Sequence, residues 1–226
     1  MVVQLHQTCG VVVPKMYPVR LLPGPIFSGF DAVHICAGGP SLRNFDWERL
    51  AQKKVVAINK SLYSCPFAKV LWFSDEKFYW TNQRAIDEHP APFKCTAYPS
   101  VYERAYPNPL YAYRFDSMRG FNDSDPTAIN HGNNSGYSAI CFAVKAGAKK
   151  IVLWGYDFKY DEEGHSHWHD GYGIERDASY LTKKLLPCFD TLYSPLLCKR
   201  VEVFNANLES NLKVWPKISV EEGIRL

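Results

Sequence analysis

The chain contains 226 residues, of which 46 % are hydrophobic and 22 % are charged, and its formal net charge is +3. This length is sufficient for one large domain with a full core, and the composition is that of an ordinary globular protein. The net charge is small and the basic residues are scattered along the chain, so the sequence gives no indication of nucleic-acid binding.

Neither a membrane protein nor a secreted protein is predicted. The sequence has no run of about 18 apolar residues, and its first residues lack the basic and apolar regions of a signal peptide. Its seven cysteines include no C-x-x-C pair, which favours reduced, mostly buried thiols. We therefore expect a cytoplasmic protein.

The chain begins with a proline-rich segment. Residues 1–30 contain four prolines among valines and leucines, which predicts an extended N-terminal arm with an edge strand near residues 11–13. Residues 31–226 contain no internal repeat and no linker. We predict that they form one domain.

The first predicted central strand, residues 31–37, runs directly into the sequence Gly-Gly-Pro-Ser-Leu. In this loop Gly38 and Gly39 permit a ligand to approach the backbone closely. A strand followed by a glycine loop is typical of a nucleotide site at the carboxyl edge of a parallel sheet. The spacing matches neither G-x-G-x-x-G nor the P-loop, so neither of those classes is assigned.

Residues 45–52 can form a short helix. The next two predicted strands, residues 54–58 and 69–73, also end in polar side chains. Asn59 follows the first of them, where an asparagine either reads a base edge or a ribose hydroxyl, or closes a turn. Asp75 follows the second strand and either binds a metal–phosphate unit or caps the amphipathic segment that runs to about Glu88.

A fourth strand is predicted over residues 93–97, followed by a long segment rich in proline and tyrosine. Residues 98–130 contain no predicted element of secondary structure. A structureless stretch of this length inside a compact domain is usually functional, so we expect it to cover the site.

Residues 131–157 read as a polar glycine loop, a helix, a turn at Gly147 and a buried strand Lys150–Trp154 that ends near Asp157. Asn134, Ser135 and Gly136 fall at the first turn of the helix. Backbone amides and the positive end of the helix dipole favour a phosphate there. The alternative is that Asn134 or Ser135 only caps the helix.

Three histidines alternate after this strand, at His165, His167 and His169. They are candidates for a general base, for ligands of a transition metal such as Zn²⁺, or for loop residues without a role. His167 is the leading candidate for the base, since it is central and Trp168 can shield it from water. A helix is predicted over residues 175–186.

The chain ends with a predicted strand over residues 200–205 and a short helix. Ser219 and Glu222 have the S-x-x-E spacing of a capping box at the start of that helix. Strands that alternate with helices and end in polar residues predict an α/β fold: a single Rossmann-like domain with a mostly parallel open sheet, helices on both faces and one ligand edge.

Five features, taken in chain order, resemble those of a known superfamily. They are the glycine–proline–serine loop, Asn59, Asp75, the Asn134-Ser-Gly motif and the Gly-Tyr-Asp motif ending at Asp157. The chain is similar over residues 31–220 to bacterial sialyltransferases of glycosyltransferase family 42. It also resembles proteins similar to 6-hydroxymethylpterin diphosphokinase, including bacteriophage-encoded versions.

The sialyltransferase resemblance implies a CMP-sugar donor and an acceptor hydroxyl. It implies nucleotide contacts at Gly38, Gly39, Ser41 and Asn59, phosphate contacts at Ser135 and Gly136, and a base among His165, His167 and His169. The diphosphokinase branch implies instead ATP with Mg²⁺, for which Asp75 and Asp157 are the available acids.

Three functions therefore remain as alternatives. The leading prediction is a sialyltransferase-like transferase that uses a nucleotide-activated donor. The second is an ATP- and Mg²⁺-dependent pyrophosphokinase, and the third is a nucleotide-binding module without catalysis.

Overall fold

The structure is a computed structural model that describes residues 20–29, 31–97, 110–170 and 177–226 in full and the backbone of residues 2–8 and 11–17. Its strands are β1 (Val2–Thr8), β2 (Val11–Tyr17), β3 (Val33–Cys36), β4 (Lys54–Ile58), β5 (Val70–Phe73), β6 (Phe93–Thr96), β7 (Tyr111–Ala112), β8 (Arg114–Phe115), β9 (Ala128–Ile129), β10 (Lys150–Trp154) and β11 (Glu202–Asn205). Its α-helices are α1 (Glu76–Glu88), α2 (Ser135–Lys145), α3 (Leu186–Cys198) and α4 (Val220–Arg225).

Seven strands form one sheet in the order β11-β10-β3-β4-β5-β6-β7. Every pair of neighbours in this sheet is parallel. Within this sheet the chain enters at β3, continues outward to β7 and later returns to β10 beside β3. The direction of winding therefore reverses between β3 and β10. Ligands of open α/β sheets bind at such a reversal, outside the carboxyl ends of the strands.

The sheet is buried on both faces, as the apolar runs predict. One core, under α2 and α3, contains Trp72 stacked on Phe142 with ring centroids 4.7 Å apart. The other core contains residues of α1 such as Tyr79, which is fully buried. Helices therefore cover both faces, and the predicted α/β architecture is confirmed.

The N-terminal segment contains two strands within its described residues. The strands β1 and β2 pair as an antiparallel hairpin, and β2 includes the predicted edge strand at residues 11–13. Further along, Phe27 is 2 % exposed, and its amide donates to the carbonyl of Ala146 at 2.9 Å. The division into an arm and a domain at residue 30 stays a prediction.

Two of the helix predictions needed correction. The segment 45–52 forms only a 3₁₀ turn, Trp47–Leu50, capped by Asp46. The predicted helix 175–186, of which residues 175 and 176 lie outside the described ranges, does not end at residue 186. It passes through the π-helical turn Tyr180–Leu185 and continues as α3 to residue 198. Pro187 is the second residue of α3, directly after the π-helical turn, and a proline is tolerated in the first turn of an α-helix.

Other local predictions are confirmed. Ser219 and Glu222 form the predicted capping box at the start of α4. The six cysteines within the described residues are free thiols, and all except Cys198 are buried. None of the helices in these ranges combines the length and the apolar character that crossing a bilayer requires.

His34 provides a test of the packing in the second core. It is fully buried in β3, and its Nδ1 accepts a hydrogen bond from Nε1 of Trp154 at 3.1 Å. Burial, with a smaller contribution from the charge of Lys53, lowers the pKa of His34 to about 4. The unfolded chain therefore binds a proton at higher pH than the folded protein does, and stability falls as the pH drops from about 6.5 towards 4.

We expect His34→Asn to weaken this pH dependence, since the amide oxygen can accept from Trp154 but does not titrate. As the pH falls from 7.5 to 4.5, the free energy of unfolding of the unchanged protein, measured with urea, should fall by up to roughly 3 kcal/mol more than that of the variant. His165→Asn, at an exposed histidine, is the control. Parallel pH profiles for the unchanged protein and His34→Asn would contradict this account.

Candidate active site

A cleft of about 800 Å³ opens at the carboxyl edge of the sheet, where β3 and β10 meet. The predicted site residues that line it are Gly38, Gly39, Asn59, Asp75, Asn134, Ser135, Gly136, Asp157, His167 and His169. Ser41 and His165 do not line it. Trp168, expected beside His167, lines it as well. Other lining residues were not indicated by the sequence, and these include Lys60, Tyr63, Lys77, Thr81, Asn82, Leu181 and Leu185.

The carboxylate of Asp157 joins two loops beneath the cleft. It is 1 % exposed, and it accepts from the amide of Ser41 at 2.6 Å, from Oγ of Ser41 at 2.7 Å and from Nδ2 of Asn207 at 2.7 Å. Ser41 thus holds the loop after β3 in place from outside the cleft. Both oxygens of Asp157 are engaged within the protein, which does not favour the predicted Mg²⁺ site.

The loop after β11 supports the segment that follows β10. Ser210 donates to the carbonyl of Tyr156 at 2.5 Å, while Asn211 donates from its amide to the carbonyl of Asp157 and from Nδ2 to that of Phe158, at 2.9 and 3.0 Å. Phe158 has a φ of 52°, which is rare for a bulky residue. These hydrogen bonds hold an unfavourable backbone conformation at the wall of the cleft.

Gly38 and Gly39 are required by the packing of the chain itself. A Cβ atom at Gly39 would lie 2.5 Å from the carbonyl oxygen of Gly155 and 2.6 Å from the carboxylate of Asp157. At Gly38 a Cβ atom would lie 2.9 Å from Cδ2 of His167. The glycines permit close approach, as expected, but the approaching groups shown by the structure belong to the protein. Their predicted contacts with a nucleotide stay predictions.

The histidine segment is fastened to the loop after β3. Trp168 donates from its amide to the carbonyl of Gly38 at 3.0 Å and from Nε1 to that of Ala37 at 3.2 Å. On either side of Trp168, the rings of His167 and His169 stack with centroids 5.0 Å apart. Trp168 thus positions both histidines at the cleft.

The two stacked histidines have different environments. Burial, with smaller contributions from the neighbouring charges of His167 and Lys60, lowers the pKa of His169 to about 3. His169 is therefore neutral at physiological pH. Nδ1 of His167 lies 2.8 Å from Oγ of Ser166, a contact that orients this imidazole ring.

His165 is separate from the other two histidines. Its side chain is 50 % exposed, and Nδ1 lies 3.4 Å from Asp161 and 3.5 Å from Glu163. Of the residues that the structure describes, these three form the group whose possible ligand atoms lie within 4.8 Å of one another. The alternative of one metal ion held by all three histidines is therefore not supported there.

The start of α2 combines a cap with a chain of hydroxyl groups. Asn134 caps the helix, since its Oδ1 accepts from the amides of Gly136 and Tyr137 at 2.7 and 3.1 Å. The capping alternative is thus correct for Asn134, and the amide of Gly136 is already engaged. Ser74 donates to Oγ of Ser135 at 2.9 Å, so the hydroxyl hydrogen of Ser135 can serve a ligand.

Asn59 and Asp75 occupy different environments. Asn59 begins a 3₁₀ turn with a φ of 49°, and its Oδ1 is buried and accepts no hydrogen bond from the described residues. Such an oxygen is costly unless a donor reaches it, for example the hydroxyl of a ribose. Asp75 is exposed and caps α1 by accepting from the amide of Phe78 at 2.8 Å, so the capping alternative is correct there.

The expected cover over residues 98–130 is not confirmed. Residues 98–109 lie outside the described ranges, and none of residues 110–130 lines the cleft. That part of the chain instead adds β7 to the sheet and pairs β8 with β9. Arg114 of β8 forms ion pairs with Asp116 and Asp125, which fold this segment onto itself.

Comparison with protein-family models and with curated proteins gave no match. Solved structures do match. The α-2,3-sialyltransferase Cst-I from Campylobacter jejuni is 16 % identical, with a TM-score of 0.55, over 92 % of this chain and 86 % of that chain. A variant of the sialyltransferase CstII in complex with CMP is 14 % identical, with a TM-score of 0.52, over 83 % of this chain and 86 % of that chain.

The chain has the fold of these sialyltransferases. At this level of identity the match establishes the architecture and leaves the chemistry to the residues of the cleft. The predicted roles of the site residues, and the diphosphokinase and bacteriophage parts of the resemblance, stay predictions.

Removing the charge of Asp157 should destabilise the protein. In Asp157→Asn one oxygen becomes an NH₂ group that faces a donor from Ser41 or Asn207, so a buried hydrogen bond is replaced by a repulsive contact. We expect a loss of about 1–3 kcal/mol in the free energy of unfolding, measured with urea. Asp170→Asn, at an exposed carboxylate lining the same cleft, should change it little. Equal stability of the two variants would contradict the structural role of Asp157.

Proposed function

We propose that this protein is a glycosyltransferase that transfers a sugar from a nucleotide-activated donor of the CMP-sugar type to an acceptor hydroxyl. The observation that carries the proposal is that three groups line one cleft. They are Ser135 at a helix start, Oδ1 of Asn59, which has no hydrogen-bond partner among the described residues, and the oriented ring of His167. The shared architecture with Cst-I and with the CMP complex of CstII supports the choice of donor.

The start of α2 is suited to the departing nucleotide phosphate. Negative charge develops on the phosphate oxygen as its bond to the sugar breaks, and a hydrogen-bond donor at a helix N-terminus stabilises that charge. Ser135 supplies such a donor, because its oxygen already accepts from Ser74. Oδ1 of Asn59 accepts from a hydroxyl of the nucleotide or of the donor sugar.

His167 is the residue that we propose as the general base. When Nδ1 carries a proton and donates to Ser166, Nε2 is the acceptor nitrogen of the ring. The acceptor oxygen then attacks the anomeric carbon, the bond from that carbon to the phosphate oxygen breaks, and the acceptor proton passes to Nε2. His169, whose pKa is about 3, is too weak a base at neutral pH but places no second charge beside the new imidazolium.

The other two functions are less well supported. Asp75 caps a helix and Asp157 is enclosed by its hydrogen bonds, so the acids that the ATP- and Mg²⁺-dependent alternative needs already have structural partners. A binding module without catalysis would have no use for a half-buried pair of stacked histidines that lines the same cleft as the start of α2.

Calorimetry with CMP, and with ATP plus Mg²⁺, tests the choice of nucleotide. We expect CMP to bind the unchanged protein. We expect Ser135→Ala to weaken the free energy of CMP binding by more than about 1 kcal/mol, since a charge-assisted hydrogen bond is lost. Thr182→Ala, at an exposed hydroxyl outside the cleft, is the control. Binding of ATP with Mg²⁺ in place of CMP would favour the pyrophosphokinase.

Release of CMP from CMP-N-acetylneuraminic acid tests the base. His167→Ala should bind CMP as the unchanged protein does but lose about 10²–10⁴-fold in turnover, because proton transfer is removed while binding is kept. His165→Ala is the matched control, since His165 is exposed and does not line the cleft. Full turnover by His167→Ala would overturn its assignment, and CMP binding without any turnover by the unchanged protein would favour the binding module.

A further inference from the structure

The mouth of the cleft holds an exposed aromatic ring in a fixed position. Tyr63 ends the 3₁₀ turn that begins at Asn59, lines the cleft, and is 58 % exposed. Its hydroxyl donates to Oδ1 of Asn82 at 2.8 Å. Leaving a large apolar ring in water has a cost in free energy, which a ligand that covers the ring would recover.

Asn82 is itself held by a distortion of α1. Its backbone has a φ of −118° and a ψ of 15°, which is not helical, and the helix kinks there. Its Nδ2 donates to the carbonyl of Phe78 one turn earlier, at 2.8 Å, and the side chain of Phe78 is buried in the core. A side chain that inserts into the hydrogen-bond ladder is a recognised cause of a kink. The kink fixes Asn82, and Asn82 fixes Tyr63.

The groups around this ring have the chemistry of a carbohydrate subsite. Thr81 and Asn82 line the same cleft as Tyr63. An amide can make further hydrogen bonds after donating once and accepting once, and the hydroxyl of Thr81 both donates and accepts. Neutral polar groups of this kind match the hydroxyls of a sugar, while the C–H face of a pyranose packs on an aromatic ring.

The position of the ring favours the acceptor over the nucleotide. Tyr63 and Asn59, a proposed nucleotide contact, stand at the two ends of one 3₁₀ turn, but they differ in depth. Oδ1 of Asn59 is buried, whereas the ring of Tyr63 is 58 % exposed. With the nucleotide on the deeper groups, the exposed ring is left for a second substrate that enters at the mouth of the cleft.

We propose that Tyr63 is the platform on which the sugar ring of the acceptor stacks, positioned by the kink at Asn82. This inference rests on the proposed function, because it assigns the second substrate of the same cleft. It makes Tyr63 a determinant of acceptor binding that takes no part in the transfer step.

Saturation-transfer NMR and calorimetry test the platform. The probes are the methyl glycosides of glucose, galactose, mannose and N-acetylglucosamine, each with and without CMP, and CMP alone. We expect at least one glycoside to bind the unchanged protein and Tyr63→Ala to bind it about 3- to 10-fold more weakly, the range of an aromatic contact. Tyr63→Phe, which keeps the ring, should retain most of the affinity, and CMP should bind all three proteins equally.

Trp80→Ala is the matched control, since Trp80 is 37 % exposed on α1 but does not line the cleft. Failure of all four glycosides to bind, or equal glycoside affinities in Tyr63→Ala and the unchanged protein, would overturn the platform. Weaker CMP binding by Tyr63→Ala would also overturn it, since the ring would then stack on the nucleobase. Failure of the unchanged protein to bind CMP would instead refute the proposed donor, whatever the glycosides show.

Discussion

The carboxylate of Asp157 is the constraint on which the cleft depends. It lies at the end of β10, and its three hydrogen bonds reach Ser41 in the loop after β3 and Asn207 in the loop after β11. These loops follow strands on either side of β10, so a single buried charge fixes their spacing beneath the cleft, where the winding of the sheet reverses. A buried carboxylate is stable only when donors surround it. Moving any one of these loops would leave part of that charge without a partner.

The rest of the site is built outward from this constraint. With the loop after β3 fixed, its carbonyls hold Trp168, and Trp168 holds the stacked histidines against Gly38. Burial lowers the pKa of His169 to about 3, so this ring is uncharged at neutral pH. At the start of α2, Ser74 orients the hydroxyl of Ser135 by donating a hydrogen bond to it. Around Asp157, the geometry of the site thus rests on backbone carbonyls and neutral hydrogen bonds at the edge of the sheet.

Much of the fold could be predicted from the sequence, because a strand buried on both faces of a parallel sheet is a continuous apolar run. The runs that became β3, β4, β5 and β10 are of this kind, and the polar residues at their ends do meet in one cleft. The cap formed by Asn134 was only one of two alternatives, since a cap and a phosphate site use the same residue types. The loop after β11 was missed because its role depends on β11 lying beside β10. The kink at Asn82 was missed because it lies inside an ordinary amphipathic pattern.

The central claim is that one cleft binds the nucleotide at the start of α2, close to His167. A crystal structure of the complex with CMP tests it most directly. The account predicts a phosphate oxygen within hydrogen-bond distance of Oγ of Ser135, about 2.5–3.0 Å, and a hydroxyl of the nucleotide donating to Oδ1 of Asn59. A CMP molecule bound away from the carboxyl edge of β3 and β10, or a phosphate on the side of the cleft remote from Ser135, would contradict it.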